Sequence, residues 1–180
     1  MKSDRSIYFT DSAGGLHLVG HQGEDLQRHL EYEGVFRLDP DSLQLTLLVD
    51  DFDFPNGLCF SPDESLLYVN DSRRRHIRVF EVERDGTVGN GRVFADLTVN
   101  DLGIADGMKV DLEGNVYCTG PGGVWVMDPQ GNHLGRIKIP EACANFAFGE
   151  SDWKTMYITA RTSVYRMKLS IPGVPVYPAQ

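Results

Sequence analysis

Three stretches of the chain repeat one strand, turn and strand pattern, and this repetition restricts the fold more than any other feature. Each stretch is an apolar strand, a polar turn and a second strand that carries a tyrosine. The three read "PNGLCFSPDESLLYVND" from Pro55, "ADGMKVDLEGNVYCTG" from Ala105 and "ANFAFGESDWKTMYITA" from Ala144. Near the start of the chain, "SDRSIYFTDS" matches the second half of the same unit.

Two further strand-like segments follow the first two pairs, with hairpin turns at Asp85-Gly86 and Gln130-Gly131. Four antiparallel strands that recur every roughly 40 to 50 residues are typical of a β-propeller blade. A β-sandwich is the competing all-β fold, but its strands need not repeat a four-strand unit with tyrosine and turn in register. The sequence therefore predicts an all-β protein, a single partial β-propeller domain over residues 1–180. It would hold about four blades: two complete ones, a nearly complete one before them and a partial one at the end.

The amino-acid composition excludes some classes of binding partner. A formal net charge of -9 repels phosphate backbones and anionic membrane surfaces, so neither nucleic acid nor membrane is expected as a partner. Cys59, Cys118 and Cys143 lie far apart in apolar runs, which indicates buried thiols in a reducing compartment. The first residues lack the apolar stretch of a signal peptide, and no run approaches the roughly 18 apolar residues of a membrane span. A cytoplasmic location is expected.

Aligning the repeats places three oxygen-bearing side chains, Asn56, Asp106 and Asn145, at the start of the first strand of each unit. In a propeller that strand lines the central channel, so these side chains are expected to converge near the axis. Carboxylate and amide oxygens suit Ca²⁺, Mg²⁺ or Mn²⁺, and Zn²⁺ also accepts carboxylate. Asp11 and Asp71, at the ends of second strands, return to the same face. For each residue alone, a local turn that Asn or Asp satisfies is the simpler interpretation.

The segments "IYFTDS", "FPNGLCFSPDESLLYVNDS" and "IADGMKVDLEGNVYCTGPGGVWVMDPQGN" resemble the gluconolactonase, regucalcin (senescence marker protein) and luciferin-regenerating enzyme family. The resemblance extends over essentially the whole chain and is strongest between Gly34 and Ala160. It implies a six-bladed propeller, a lactone hydrolase activity and a single divalent metal ion in the channel. It also implies that Asn56, in its Pro-Asn-Gly-Leu motif, and Asp106, in its Asp-Gly-Met motif, are metal ligands.

Two parts of the family pattern have no counterpart in this sequence. These are a metal-binding Glu in the first blade and a substrate-contacting Asn before the "IYFTD" segment. Six blades would need about 270 residues, so 180 residues correspond to the carboxyl-terminal two-thirds of a family member. An open propeller edge predicts self-association.

The sequence thus predicts metal-dependent hydrolysis of a sugar lactone. The metal, Ca²⁺ first and otherwise Zn²⁺, Mg²⁺ or Mn²⁺, would polarise the lactone carbonyl and activate a water. Asp106 is the candidate catalytic residue, as ligand or general base, and Asn56 a neutral ligand. Asn145 and Asp11 are candidates for substrate hydroxyls, although Asp11 could equally cap a turn. The alternatives are a non-catalytic calcium-binding or scaffold propeller, and an inactive fragment without the first-blade ligand.

Other features carry weaker predictions. Residues 12–33 form an insertion on the channel face, either a lid over the substrate or a surface loop without function. Arg73 to Arg75 and the aspartates at 50, 51 and 53 are predicted to be charged surface connections rather than a binding site.

Overall fold

The computed structural model describes residues 1–13 and 30–175, which form four antiparallel sheets. The first sheet holds β1 (Ile7–Asp11), β2 (Glu33–Leu38) and β3 (Leu45–Phe52). The second holds β4 (Pro55–Phe60), β5 (Leu66–Asp71), β6 (His76–Val82) and β7 (Val88–Asp96). The third holds β8 (Met108–Val110), β9 (Val116–Gly120), β10 (Gly123–Met127) and β11 (His133–Ile137). The fourth holds β12 (Cys143–Gly149), β13 (Thr155–Ala160) and β14 (Val164–Lys168).

Each sheet is a meander in which consecutive strands pair, and the sheets follow one another along the chain. The strand numbers, three, four, four and three, confirm the predicted partial propeller of about four blades. The first strands of the last three sheets are neighbours, since β8 contacts both β4 and β12. These three are the inner strands, which line the channel in a propeller.

The core consists of three apolar clusters, and each cluster joins two neighbouring sheets. Successive side chains of a strand point to opposite faces, so the middle strands β5 and β9 bury both faces, one against each neighbour. In β5, Leu67 and Val69 pack towards the first sheet, and Tyr68 packs towards the third. Tyr117 of β9 packs against the fourth sheet, where its ring meets Phe148 edge to face. Two of the repeated tyrosines, Tyr68 and Tyr117, therefore lie at contacts between blades.

The two ends of the inner strands differ in structure. At one end, here called the channel end, lie Asn56, Asp106 and Asn145. At the other, here called the turn end, short turns join each inner strand to its second strand, at residues 61–65, 111–115 and 150–154. The segment after β14 returns to the turn end, where Val174 N donates to Val110 O at 3.0 Å. Within residues 1–13 and 30–175, we find no helix with the length and apolar character needed to cross a membrane.

Candidate active site at the channel end

The channel end brings three sequence-predicted residues into one row because consecutive inner strands approach closely. A side-chain carbon at Gly57 would lie 1.9 Å from the carbonyl oxygen of Asp106. One at Gly107 would lie 2.3 Å from Asn145 Oδ1. Only glycine fits at such distances, so the glycines after Asn56 and Asp106 serve the contact between blades rather than a tight turn.

The strand boundaries differ slightly from the prediction that all three residues begin an inner strand. β4 begins at Pro55, one residue before Asn56. β8 begins at Met108, two residues after Asp106, and Asn145 is the third residue of β12. The ladder is irregular at two of these positions, with register shifts between Pro55 and Leu58 and between Cys143 and Asn145. Bulges of this kind redirect side chains, and they are common beside active sites.

A second set of residues, which the sequence analysis did not single out, supports the row from behind. In the first three sheets, the residue two positions after the repeated tyrosine donates a hydrogen bond to the main chain of the next inner strand. The pairs are Thr10 Oγ1 to Asn56 O (2.8 Å), Asn70 Nδ2 to Asp106 O (2.7 Å) and Thr119 Oγ1 to Ala144 O (3.1 Å). The sequence signal for these residues was a polar side chain two positions after the tyrosine in every repeat.

Asn56 has its side-chain amide oriented by Ser72. Asn56 Nδ2 donates to Ser72 Oγ at 3.1 Å, and Ser72 Oγ in turn donates to the carbonyl oxygen of Ala105. In the described part of the chain, no hydrogen bond to Asn56 Oδ1 is formed. The amide oxygen is therefore left as a free acceptor or ligand at the channel end.

Asp106 is a half-buried carboxylate with few partners. Burial raises its pKa, and a hydrogen bond from the Asn56 side chain and the positive charge of Lys109 lower it in part. Among the residues that the structure describes, no backbone N–H donates to its carboxylate and no cation forms an ion pair with it. Its oxygens are available for a proton, a cation or a substrate.

Lys109 is the main residue that the sequence analysis missed. It lies three residues after Asp106, and its Nζ donates to Met108 O at 2.9 Å and lies 5.6 Å from the ring centre of Phe146. Burial lowers the pKa of Lys109, and the electrostatic influence of Cys59, Cys118 and Asp106 raises it in part. In the aligned repeats, Lys109 takes the position that Cys59 has in the first unit. A charged residue in place of a thiol was the sequence signal that could have identified it. Lys109 places a positive charge near enough to act on the Asp106 carboxylate, without an ion pair between the two.

Asn145 and Asp11 are less well placed for direct chemistry. Asn145 Oδ1 accepts a hydrogen bond from Phe146 N at 2.8 Å, so this oxygen serves its own backbone, and its Nδ2 faces no described partner. Asp11 ends β1 with an exposed side chain that makes no hydrogen bond to the described residues. The structure therefore brings Asn145 to Asp106 through Gly107 but does not bring Asp11 into contact with either.

The donor set can be compared with the needs of a divalent metal ion. Within residues 1–13 and 30–175, no three side chains of His, Cys, Asp and Glu lie close enough together to hold one. The channel end does offer the free amide oxygen of Asn56 and the Asp106 carboxylate, both hard donors that suit Ca²⁺ or Mg²⁺. Ca²⁺ takes about six to eight oxygens, so these residues fit as part of a donor set that waters or other groups would complete.

The remaining charged motifs are structural in the described residues. Arg73 pairs with Asp53 at 3.0 Å, and Arg78 pairs with Asp51. Asp71, fully buried, accepts hydrogen bonds from backbone N–H groups, including that of Asp53 at 2.8 Å. Of the predicted lid, residues 14–29 lie outside the described residues.

The three cysteines are free, and two of them, Cys118 and Cys143, are buried. Burial raises the pKa of Cys59 to about 12 and raises the pKa of the Cys118 thiol as well. Both thiols beside Lys109 are therefore protonated at neutral pH, and they offer neither a nucleophile nor a soft metal ligand.

Consecutive antiparallel meanders of three or four strands, with their first strands side by side, define a β-propeller. The family model described as "SMP-30/Gluconolactonase/LRE-like region" matches residues 8–162, and the chain belongs to this family. It is 34% identical over 177 residues to the gluconolactonase of Zymomonas mobilis, a match that covers 93% of this chain and 48% of that protein.

Solved structures show the same fold. A gluconolactonase from Xanthomonas campestris superimposes with a TM-score of 0.81 and 33% identity, over 96% of this chain and 55% of that one. A calcium-binding protein, regucalcin, from Agrobacterium tumefaciens superimposes with a TM-score of 0.69 and 24% identity, over 79% of this chain and 54% of that one. The chain spans about half the length of the curated relatives it matches.

Proposed function

We propose that the channel end is the active site of a lactonase that hydrolyses a sugar lactone or related cyclic ester with the help of one divalent metal ion. The observation that carries the proposal is the half-buried Asp106 carboxylate, which no described backbone donor or ion pair satisfies. The gluconolactonase names of relatives that match nearly the whole chain support the reaction class.

Each residue has a role in this proposal. Asp106 would accept the proton of the attacking water as the water oxygen bonds to the carbonyl carbon, and it would return this proton to the ring oxygen as the ring C–O bond breaks, which gives a hydroxy acid. The amide of Asn145 would hold a substrate hydroxyl, with Asp11 further out on the same face. Lys109 would keep Asp106 ionised through its positive charge.

Asn56 Oδ1 and Asp106 would hold the metal ion. When bound, a divalent ion supplies Lewis acidity that polarises a carbonyl and lowers the pKa of a bound water. The hard oxygen donors support Ca²⁺ before Mg²⁺ or Mn²⁺, with Zn²⁺ also compatible with carboxylate, and a calcium-binding relative points the same way.

The second candidate is a non-catalytic calcium-binding or scaffold propeller. It is favoured by the donor set among the described residues, since no three acidic, His or Cys side chains lie close enough together there to hold a metal ion. Both candidates use the same residues, so a measured reaction must distinguish them.

The experiment is lactone hydrolysis followed as proton release from a panel of aldonolactones. Chelator-treated protein is assayed alone and with Ca²⁺, Zn²⁺, Mg²⁺ or Mn²⁺, next to Asn56→Ala and Asp106→Ala. If one metal restores turnover in the wild type and both variants lack this turnover, the result supports the lactonase function. Metal binding by calorimetry without turnover, in protein shown to be folded by circular dichroism, supports the calcium-binding alternative.

The location and the partners of the protein also remain predictions. Three free cysteines support a reducing compartment such as the cytoplasm. Self-association through β14, the edge strand of the fourth sheet in the described part of the chain, is proposed from its exposed residues, among them Val164 at 69% exposure. A small-molecule lactone is the proposed partner of the channel end.

A further inference from the structure

We infer that a cleft beside Asp106 binds an apolar substituent on the ring of the substrate, so that the preferred lactone carries an alkyl or aryl group. The inference rests on the proposed lactonase function and, of the two substrate kinds named there, selects a related cyclic ester over a sugar lactone. A fully hydroxylated sugar lactone would be the poorer substrate.

The cleft is formed by two loops at the channel end. Residues 97–107 join β7 to β8, and residues 138–142 join β11 to β12, so each loop connects an outer strand to the next inner strand. The space between them measures about 800 Å³, enough for a small substrate, and Asp106 is part of its wall. A substituent of a lactone held at Asp106 would therefore extend into the cleft.

The wall of the cleft is apolar next to Asp106. It includes Leu102, Ile104, Ile139, Pro140 and Ala142. Leu102 is 85% exposed and Ile104 is 51% exposed, which places two large apolar side chains in water near a carboxylate. A single exposed apolar residue is ordinary, but several on one concave wall indicate a ligand site.

The carboxylates in the same wall already have partners within the protein. Asp101 pairs with Arg136 at 2.6 Å. Glu141 accepts hydrogen bonds from Thr162 N at 2.8 Å, from Ser163 Oγ at 2.7 Å and from Tyr165 OH at 2.9 Å. These bonds lower the pKa of Glu141 to about 2. Its carboxylate therefore stays ionised and already accepts hydrogen bonds from groups of the protein.

This arrangement favours an apolar ligand over a hydroxylated one. Sugar hydroxyls in the cleft would leave water and meet few free partners, which is unfavourable. Besides these two carboxylates and Asp106, Arg161 is the charged side chain of the wall among the described residues, and it is exposed to solvent. An alkyl or aryl group would instead remove apolar wall from water, which strengthens binding by about fourfold for each buried methylene.

The test compares kcat/KM for δ-lactones that carry a hydrogen, methyl, propyl or pentyl group on the ring carbon next to the ring oxygen, with gluconolactone as the sugar reference. For the full chain we expect kcat/KM to rise by about two- to fourfold per methylene. Ile104→Asp should flatten the series, measured within the variant as the ratio of kcat/KM for the pentyl lactone to that for the unsubstituted one, so that a general loss of activity does not affect the result. Leu102→Asp, at a more exposed position, is the second variant in case the first does not fold.

Leu112→Asp is the matched control, because Leu112 is also 51% exposed but lies at the turn end. It should leave the series unchanged. A flat series in the wild-type protein, or gluconolactone as the best substrate, would overturn the inference while the lactonase function stands.

If the full chain hydrolyses no lactone, the proposed function fails and binding alone decides the inference. Calorimetry with the δ-lactam and its pentyl derivative, which resist hydrolysis, then replaces kinetics. Tighter binding of the pentyl compound in the wild type and not in Ile104→Asp supports the cleft. Equal binding of the two lactams, or none, overturns it.

Discussion

Asp106 and Asp111 lie five residues apart at opposite ends of the same inner strand, and their surroundings differ completely. Asp111, at the turn end, is fully buried and its oxygens accept four hydrogen bonds. The donors are Glu113 N, Asn115 N and Asn115 Nδ2 at 2.8 to 2.9 Å and Tyr117 OH at 3.0 Å. Asp106, at the channel end, is half-buried and has no described backbone donor.

The comparison shows how one residue type serves two purposes within a blade. A carboxylate whose lone pairs are filled by a turn stabilises that turn, and it has nothing left for a ligand. A carboxylate that is partly desolvated and poorly satisfied is unfavourable for the fold, and such groups concentrate at functional sites. The described hydrogen bonds, rather than the Asp itself, separate the structural residue from the candidate catalytic one.

The largest effect on stability is expected for Asp111→Ala. The change leaves two backbone N–H groups and the Tyr117 hydroxyl without their acceptor in a buried turn, which should lower the free energy of unfolding by about 3 kcal/mol. Urea denaturation measures the loss.

Asp128→Ala is the control, because Asp128 forms the same turn with Asn132 at an exposed position. It should cost about 1 kcal/mol or less, since water can replace the lost acceptor there. Equal losses for the two variants would contradict the claim that burial makes the Asp111 turn structural.

A smaller effect, on activity, is expected for Lys109→Met. Removing the cation raises the pKa of Asp106, because the charge of Lys109 now lowers it. The acid limb of the kcat/KM profile should move to higher pH, with a loss of up to about tenfold on that limb. An unchanged profile would show that Lys109 does not act on Asp106, and Lys138→Met, at an exposed lysine, is the control.

The smallest expected effect is the contribution of the Asp106 carboxyl to the pH dependence of the free energy of unfolding. Its pKa in the folded protein is raised above 3.8, so protonated Asp106 favours folding below pH 3.8, and this contribution is lost as the pH rises through the folded-state value. Asp106→Asn should therefore be slightly more stable than the wild type at pH 7. Thermal unfolding between pH 3 and pH 7 tests this, and a destabilised variant at pH 7 would contradict it.

Much of the fold follows from the sequence because the blade is a repeat. Tyr68, Tyr117 and Tyr157 fix the register of the second strands, so the number of blades and the common position of Asn56, Asp106 and Asn145 could be predicted. The reason for the glycines after Asn56 and Asp106 could not be predicted, since it depends on how closely one inner strand approaches the next.

The remaining features depend on contacts between blades or on loops that do not repeat. Lys109 is one residue in a short strand, and only packing against Cys118 and Phe146 brings its charge beside Asp106. Asp106 and Asp111 look alike in the sequence, because each is an aspartate next to a short strand. Their difference arises from the hydrogen bonds that a turn supplies at one end and not at the other.

The most direct test measures kcat/KM for the best lactone and the free energy of unfolding in Asp106→Asn and in the wild type. The variant has the same shape and cannot accept a proton at neutral pH. We predict a loss of about 10³-fold in kcat/KM with no loss in the free energy of unfolding. An Asp106→Asn protein that keeps more than about a tenth of the activity, or that loses activity only because it unfolds, would contradict the assignment of the channel end as the active site.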